Sequence, residues 1–245
     1  MKGLLAVWND CDPEVLERYE HWYQTEHLVD RVGLPGVQNG VRHEAAVDDV
    51  AMASPRFFTS YDLDNAAVLD SPAYQAMLLS PSPQTQTIMP HFRNMWRFVG
   101  SLLAHEGRCA GAWTVTIRLG QLQGAAQSRR TDLDAWRAAL RNEAPERACR
   151  WRLYESVLAA RAGGAAAASA ASAASAAPSP EARFRPGTDA ASHGVLLIEH
   201  LRRDDARRTV DEWISKPGIA ALLHPQDRVD RFLEMSRLDS RVMEN

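Results

Sequence analysis

The chain has 245 residues, of which 45% are hydrophobic and 24% charged, with a net charge of −3. A chain of this size can bury a core without metal or disulfide support, and its charge gives no basic surface for a nucleic acid. The three cysteines lie too far apart to indicate a disulfide framework or a thiolate metal site. No apolar stretch approaches the ~20 residues that span a bilayer, and the first apolar run ends too soon, at Asp10, for a signal peptide. We therefore expect a cytoplasmic protein with no membrane partner.

The first half of the chain predicts the element order βαββαβ. A long helix is predicted over Pro13–Arg31, with Asp12 as its N-cap and Pro13 in its first turn. A shorter helical segment is predicted over Asn65–Leu79, interrupted by Pro72. The predicted strands are Gly3–Asn9, Gly36–Glu44, Arg56–Leu63 and Asn94–Leu103.

The second half predicts the same order again. Its predicted helices are Thr131–Asn142 and Asp204–Ser215. The predicted strands are Gly111–Leu119, Ala148–Val157, Gly194–Leu201 and Asp230–Leu238. Between the second and third of these strands lies Gly163–Pro180, which is rich in alanine and serine. We predict that this segment is an exposed, disordered insertion, because it has no broad apolar stripe.

The repeated order predicts an α+β fold of two fused ferredoxin-like repeats, over residues 1–105 and 106–245. Each antiparallel sheet carries two helices on one face and leaves the other face apolar. We expect two separate sheets to cover each other face to face within one chain. The protein is then either a monomer that acts as a pseudo-dimer or a homodimer.

A motif on the first predicted helix has a more specific pattern. It runs from Tyr19 to Leu28 (YEHWYQTEHL) and is followed by Leu34-Pro35-Gly36-Val37. This pattern resembles the EthD-like branch of the dimeric α+β barrel proteins, and Arg42, Tyr61-Asp62-Leu63 and Ser71-Pro72-Ala73-Tyr74 fit it too. The second half matches in topology only. The resemblance implies a site in the first half, with the second half as a degenerate structural partner.

His27 is the leading candidate for a catalytic residue. Leu16, Tyr19, Tyr23 and His27 share one face of the predicted helix, which turns from apolar to polar at its C-terminal end. A histidine there can act as general acid or base, since its unperturbed pKa is about 6.5. The alternative is that His27 caps the helix C-terminus.

Six further residues are candidates for substrate binding. Trp22 and Tyr23 either line the pocket or simply anchor the helix on the sheet. His43 lies on the strand face of Val41 and either marks a cavity or is satisfied by the opposing sheet. Arg42, on the other face, either holds an anionic group or forms a surface ion pair. Tyr61 and Tyr74 can donate hydrogen bonds to a phenol or carbonyl group.

Three functions remain open at this stage. The first is a cofactor-independent enzyme that acts on an apolar, oxygenated or aromatic metabolite, with His27 moving a proton. The second is a non-catalytic ligand-binding or accessory protein of the same fold. The third is a haem protein with His91, His200 or His224 as axial ligand. The sequence has no HxH, HExxH or paired-carboxylate spacing, so we predict no metal site. It also lacks a nucleotide-binding loop and a GxSxG motif, which disfavours nucleotide binding and serine hydrolase chemistry.

Overall fold

A computed structural model describes residues 1–46, 55–120, 126–157, 184 and 192–243, with backbone alone for 126–132. Its eight strands close into one antiparallel barrel in the order β1-β3-β2-β8-β5-β7-β6-β4. The strands are β1 Gly3–Cys11, β2 Val37–Ala45, β3 Phe57–Leu63, β4 Phe92–Gly107, β5 Trp113–Leu119, β6 Ala148–Ser156, β7 Gly194–His200 and β8 Arg228–Asp239. All eight strands were predicted. β4 runs beyond both of its predicted ends.

The two halves of the chain contribute the same strand order to the barrel. The first supplies β4-β1-β3-β2 and the second supplies β8-β5-β7-β6. Antiparallel ladders between β2 and β8 and between β4 and β6 join the halves at both edges. The expectation of two separate sheets is therefore wrong, because Trp8 and Trp113 belong to one continuous closed sheet. Closure removes all four unpaired strand edges that two separate sheets would leave.

The inner faces of the two halves still shield one another, inside the barrel. Their buried side chains form one apolar cluster that includes Trp8 and Phe58 from the first half and Leu197 and Phe232 from the second. Trp8 Nε1 donates to Thr116 Oγ1 across the interior at 3.3 Å. The barrel interior is thus a core that both halves build.

Helices cover the outside of the barrel. The long first helix, α1, begins with a 3₁₀ turn over Pro13–Val15, is α-helical over Leu16–Trp22, passes through a π-helical turn over Tyr23–His27 and ends with Leu28–Val32. After β3 come a 3₁₀ turn Ala66–Asp70, α2 Pro72–Leu79, α3 Pro83–Ile88 and a 3₁₀ turn Met89–His91. The second half has α4 Ala126–Asn142, α5 Arg203–Arg208 with a π-helical turn Thr209–Trp213, and α6 Pro217–Ala220, then a final 3₁₀ turn Ser240–Val242.

Two short helices, α3 and α6, were not predicted, because each begins at a proline after a break. Asp12 does lie at the helix N-cap, but its side chain makes no capping bond and instead pairs with His91 and Arg93. The insertion Gly163–Pro180 lies outside the described residues. No described helix combines the length and apolarity needed to cross a bilayer.

Candidate functional site

The buried face of α1 brings the predicted helix residues together. Tyr19, Trp22, Tyr23 and His27 are all buried. The π-helical turn contains both Tyr23 and His27, whose ring centroids lie 4.9 Å apart in an edge-on arrangement. Such turns often occur at functional sites because they re-aim side chains within a helix. Here the turn presents a tyrosine and a histidine to the sheet.

A cavity lies between this turn and the outer face of the first-half sheet. Four of the predicted residues line it, namely Tyr23, His27, Tyr61 and Tyr74. The remaining lining residues are Leu5, Val7, Arg31, Met89, Phe92, Met95 and Arg97. Its volume is about 30 Å³, which holds one or two water molecules. A metabolite therefore enters only if flexible side chains such as Met89 and Met95 move aside.

The hydroxyl of Tyr61 is an unpartnered polar group in this cavity. Tyr61 is 2% exposed, and its Oη makes no hydrogen bond to any described residue. Burial, and next the neighbouring Tyr23, raises the pKa of Tyr61 well above 10. The hydroxyl therefore stays protonated and can donate to an oxygen of a bound molecule.

His27 is held by aromatic rings and a polar bridge between helices. The Trp22 ring centroid lies 4.4 Å from that of His27. Trp22 Nε1 in turn donates to Glu26 Oε1 at 3.0 Å and to Thr85 Oγ1 of α3 at 3.2 Å. Ser82, the N-cap of α3, also bonds Glu26. Trp22 thus packs against the His27 ring and fixes its position, but it does not itself line the cavity.

Arg42 lies behind Tyr23, away from both the protein surface and the lining of the cavity. It is 1% exposed, so it forms no surface ion pair, and it does not line the cavity. Its guanidinium lies 4.1 Å from the Tyr23 ring centroid and 5.3 Å from that of Tyr19. None of its three guanidinium nitrogens has a hydrogen-bond partner among the described residues. Arg42 is therefore a cation held by aromatic faces behind Tyr23.

His43 lies in the barrel interior, on the other side of the sheet from His27. Its ring stacks on Phe58 with centroids 4.9 Å apart, and its Nδ1 lies 3.3 Å from the Phe58 carbonyl oxygen. Burial lowers the pKa of His43 from 6.5 to about 4. The interior nearby also holds Arg152, which bonds Asp62 at 2.6 Å and Glu199 at 2.9 Å. His43 does not line the cavity under α1, and its Nε2 lies 3.4 Å from Thr114 Oγ1 of β5, in the other half of the barrel.

The three histidines considered for haem lie away from the candidate cavity. His200 is fully buried, with Nε2 2.9 Å from Thr209 Oγ1 and Nδ1 3.4 Å from the Arg147 carbonyl oxygen. His91 Nδ1 bonds Asp12 at 3.0 Å, and His224 lies on the surface. None of the three lines the helix–sheet cavity. Asp12, Glu14 and His91 are close enough to share a cation, but Arg93 already pairs with Asp12.

A larger groove lies on the outer side of α1 and α3. It has a volume of about 600 Å³ and is lined by Glu17, Arg18, His21, Pro83, Gln84, Thr87 and Ile88. It is open to solvent and none of its lining residues carries an unpartnered buried polar atom. We therefore regard the smaller, partly enclosed cavity under α1 as the candidate site.

Sequence reasoning missed Arg31 and Arg97 as lining residues. Arg31 follows His27 by one helical turn, so the i, i+4 spacing could have placed both on one face. Arg97 pairs with Val7 across the β1–β4 ladder, and no local signal shows that register. Met95, on the same strand, escaped notice for the same reason, and Met89 lies in the 3₁₀ turn just before that strand.

No protein-family model matches the chain, and no curated protein matches it in sequence. Solved structures do match. An anthrone oxidase-like protein superposes with a TM-score of 0.58 at 7% identity, over 98% of this chain and 93% of that one. A proposed monooxygenase from Fusobacterium nucleatum subsp. nucleatum ATCC 25586 gives 0.50 at 7% identity, over 97% and 94%. A mutant chlorite dismutase from Candidatus Nitrospira defluvii gives 0.49 at 7% identity, over 96% and 91%, too weak to carry an argument. At these identities the likeness concerns the fold alone, and that fold is the dimeric α+β barrel.

Proposed function

We propose that residues 1–105 and 106–245 are two ferredoxin-like repeats, of which the first carries an EthD-like site. The identical strand order of the two halves supports the repeats. The YEHWYQTEHL motif of α1, which supplies Tyr23 and His27 to the cavity, supports the second part. One chain closes the barrel by itself, which favours a monomer that acts as a pseudo-dimer. A cytoplasmic location stays a prediction.

The function that this cavity supports best is acid–base chemistry on a small oxygenated aromatic molecule. The observation that carries the proposal is that a buried histidine and three tyrosines converge on one apolar cavity. His27 removes a proton from an activated C–H or O–H group, and the Tyr61 hydroxyl stabilises the oxygen on which negative charge develops. Tyr23 and Tyr74 orient the aromatic ring.

Anthrone is the first molecule to test, because the fold neighbour is described as anthrone oxidase-like. Its methylene C–H is acidic, because removal of that proton makes the central ring aromatic and leaves a stabilised phenolate-type anion. We expect the protein to accelerate exchange of the methylene protons with D₂O, followed by NMR without oxygen. His27→Ala should lower this acceleration by about 100-fold or more. His21→Ala, which changes an exposed histidine on the same helix, should leave it unchanged.

A non-catalytic ligand-binding protein is the second candidate. This candidate is favoured because His27 has no second histidine or carboxylate beside it among the described lining residues to serve as the complementary acid or base. Anthrone that binds but exchanges no faster than in buffer would support this candidate and overturn the first.

A further inference from the structure

We propose that the cavity selects organic anions, and specifically aromatic carboxylates, through Arg97 and the Tyr61 hydroxyl. This inference rests on the proposed function for the location of the site. It adds the charge of the ligand, which the motif on α1 does not specify.

The charge of the cavity lining is one-sided. Arg31 and Arg97 both line it, and no aspartate or glutamate does so among the described residues. The described part of the lining thus carries two cationic side chains and no anionic one, which favours a ligand with negative charge.

Arg97 is the cation best placed to receive an anion. It projects from β4 beside Val7 and is partly buried. Its guanidinium makes no hydrogen bond and no ion pair with a described residue. Arg93, earlier on the same strand, instead pairs with Asp12. A planar guanidinium left open at a cavity matches the two oxygens of a carboxylate.

The Tyr61 hydroxyl is an independent second observation. It is buried and unpartnered, and its residue lines the same cavity. A buried donor without an acceptor is costly, and an anionic oxygen would supply the acceptor. Tyr61 lies opposite Leu5 on β1, so its ring and Arg97 project from the same face of the sheet.

The rest of the cavity fits an aromatic body and not a small inorganic anion. Its other walls include Leu5, Val7, Phe92 and the two methionines, Met89 and Met95. These side chains offer no hydrogen bonds but can pack on a ring, and the methionines can yield to admit it. A ligand with one charged end and one aromatic end satisfies both parts of the lining.

A matched pair of probes tests the charge preference. The probes are 4-hydroxybenzoate and 4-hydroxybenzamide, which differ in charge but hardly in size, titrated at pH 7 by ligand-observed NMR. We expect the benzoate to bind at least tenfold more tightly than the benzamide. Arg97→Met should weaken benzoate binding about tenfold and benzamide binding less than twofold. Tyr61→Phe should weaken binding of the benzoate, with unchanged far-UV circular dichroism.

Arg108→Met is the control, because it removes the same charge from an exposed position just beyond β4. It should leave both affinities unchanged. Equal affinity for the two probes, or no binding of either, would overturn the anion preference. So would an equal loss of benzoate binding in Arg97→Met and Arg108→Met, which would indicate only a general effect of charge. Faster anthrone exchange without an anion preference would sink this inference alone, whereas an anion preference without exchange would sink the proposed catalysis alone.

Discussion

The helix layers over the two halves of the barrel are built from different side chains. Under α1, the first half buries tyrosines, a histidine and the arginine Arg42. Under α4 and α5, the second half buries Trp136, Trp151 and Trp213 with leucine, isoleucine and valine side chains. The same strand order thus supports a layer with tyrosines, Arg42 and a cavity on one side, and on the other a layer of tryptophan and aliphatic side chains that also buries a His200–Thr209 hydrogen bond.

The difference shows where stability and function are divided in this protein. In the second half, Trp213 Nε1 donates to the Glu143 carbonyl at 2.8 Å, whereas Trp151 Nε1 has no partner among the described residues. In the first half, the Tyr61 hydroxyl and the Arg42 guanidinium remain without partners among the described residues. Unpartnered polar groups cost stability in both halves, but the Tyr61 hydroxyl belongs to a residue that lines the candidate site.

The largest expected effect comes from opening the second-half layer. Trp136 is 1% exposed and its ring centroid lies 6.3 Å from that of Trp213. Trp136→Ala should lower the free energy of unfolding by about 3–5 kcal/mol, because it removes a large buried surface and leaves a cavity. Urea denaturation followed by circular dichroism measures this. A loss below about 1 kcal/mol would mean that the second half is loosely packed and would remove the contrast between the layers.

The element order could be predicted from the sequence because each strand and long helix shows its own local periodicity. His27 and Tyr23 were found because helical spacing places them on one face of α1. Arg97 and the closure of the barrel were missed for a common reason. Both depend on which strands pair, at β1–β4 for Arg97 and at β2–β8 and β4–β6 for closure. Pairing between distant strands is set by the whole fold and leaves no local signal.

The role of Arg42 shows a second limit of sequence reasoning. Strand alternation placed its side chain on the opposite face from His43, which is confirmed, because His43 faces the barrel interior and Arg42 lies under α1. The same alternation could not tell whether that face is exposed or covered. That face is covered because Tyr23 of α1 packs over the Arg42 guanidinium of β2. A contact between a helix and a strand of this kind cannot be read from strand alternation.

The second-largest expected effect is a pH dependence of the free energy of unfolding. It concerns the barrel interior, which both halves build, and not either helix layer. His43 lies in the interior that both halves share, and burial lowers its pKa from 6.5 to about 4. Between these values the unfolded chain binds a proton that the folded protein does not, so the stability contributed by neutral His43 falls as the pH falls. From pH 7 to pH 5 the loss should be about 2 kcal/mol.

The measurement is the free energy of unfolding as a function of pH, in wild type and in His43→Gln. The variant should lose this part of the slope between pH 7 and pH 5, whereas His21→Gln, which changes an exposed histidine, should keep it. Burial also lowers the pKa of His200, so a slope of the same sign should persist in His43→Gln. An unchanged slope in His43→Gln would mean that water reaches the barrel interior near this histidine.

The smallest expected effect compares an unpartnered hydroxyl of the first-half layer with a hydrogen-bonded hydroxyl of the barrel interior. Tyr61→Phe removes an unpartnered buried hydroxyl, so it should raise the free energy of unfolding by about 1 kcal/mol. Tyr154→Phe is the matched control in the second half, where the hydroxyl accepts a hydrogen bond from Arg152 Nη1 at 3.0 Å. That variant should lower stability by about 1–2 kcal/mol, because it leaves a charged donor short of a partner. If both variants lost stability equally, the Tyr61 hydroxyl would have a hydrogen-bond partner in solution. It would then not be an unpartnered donor that is available to a ligand.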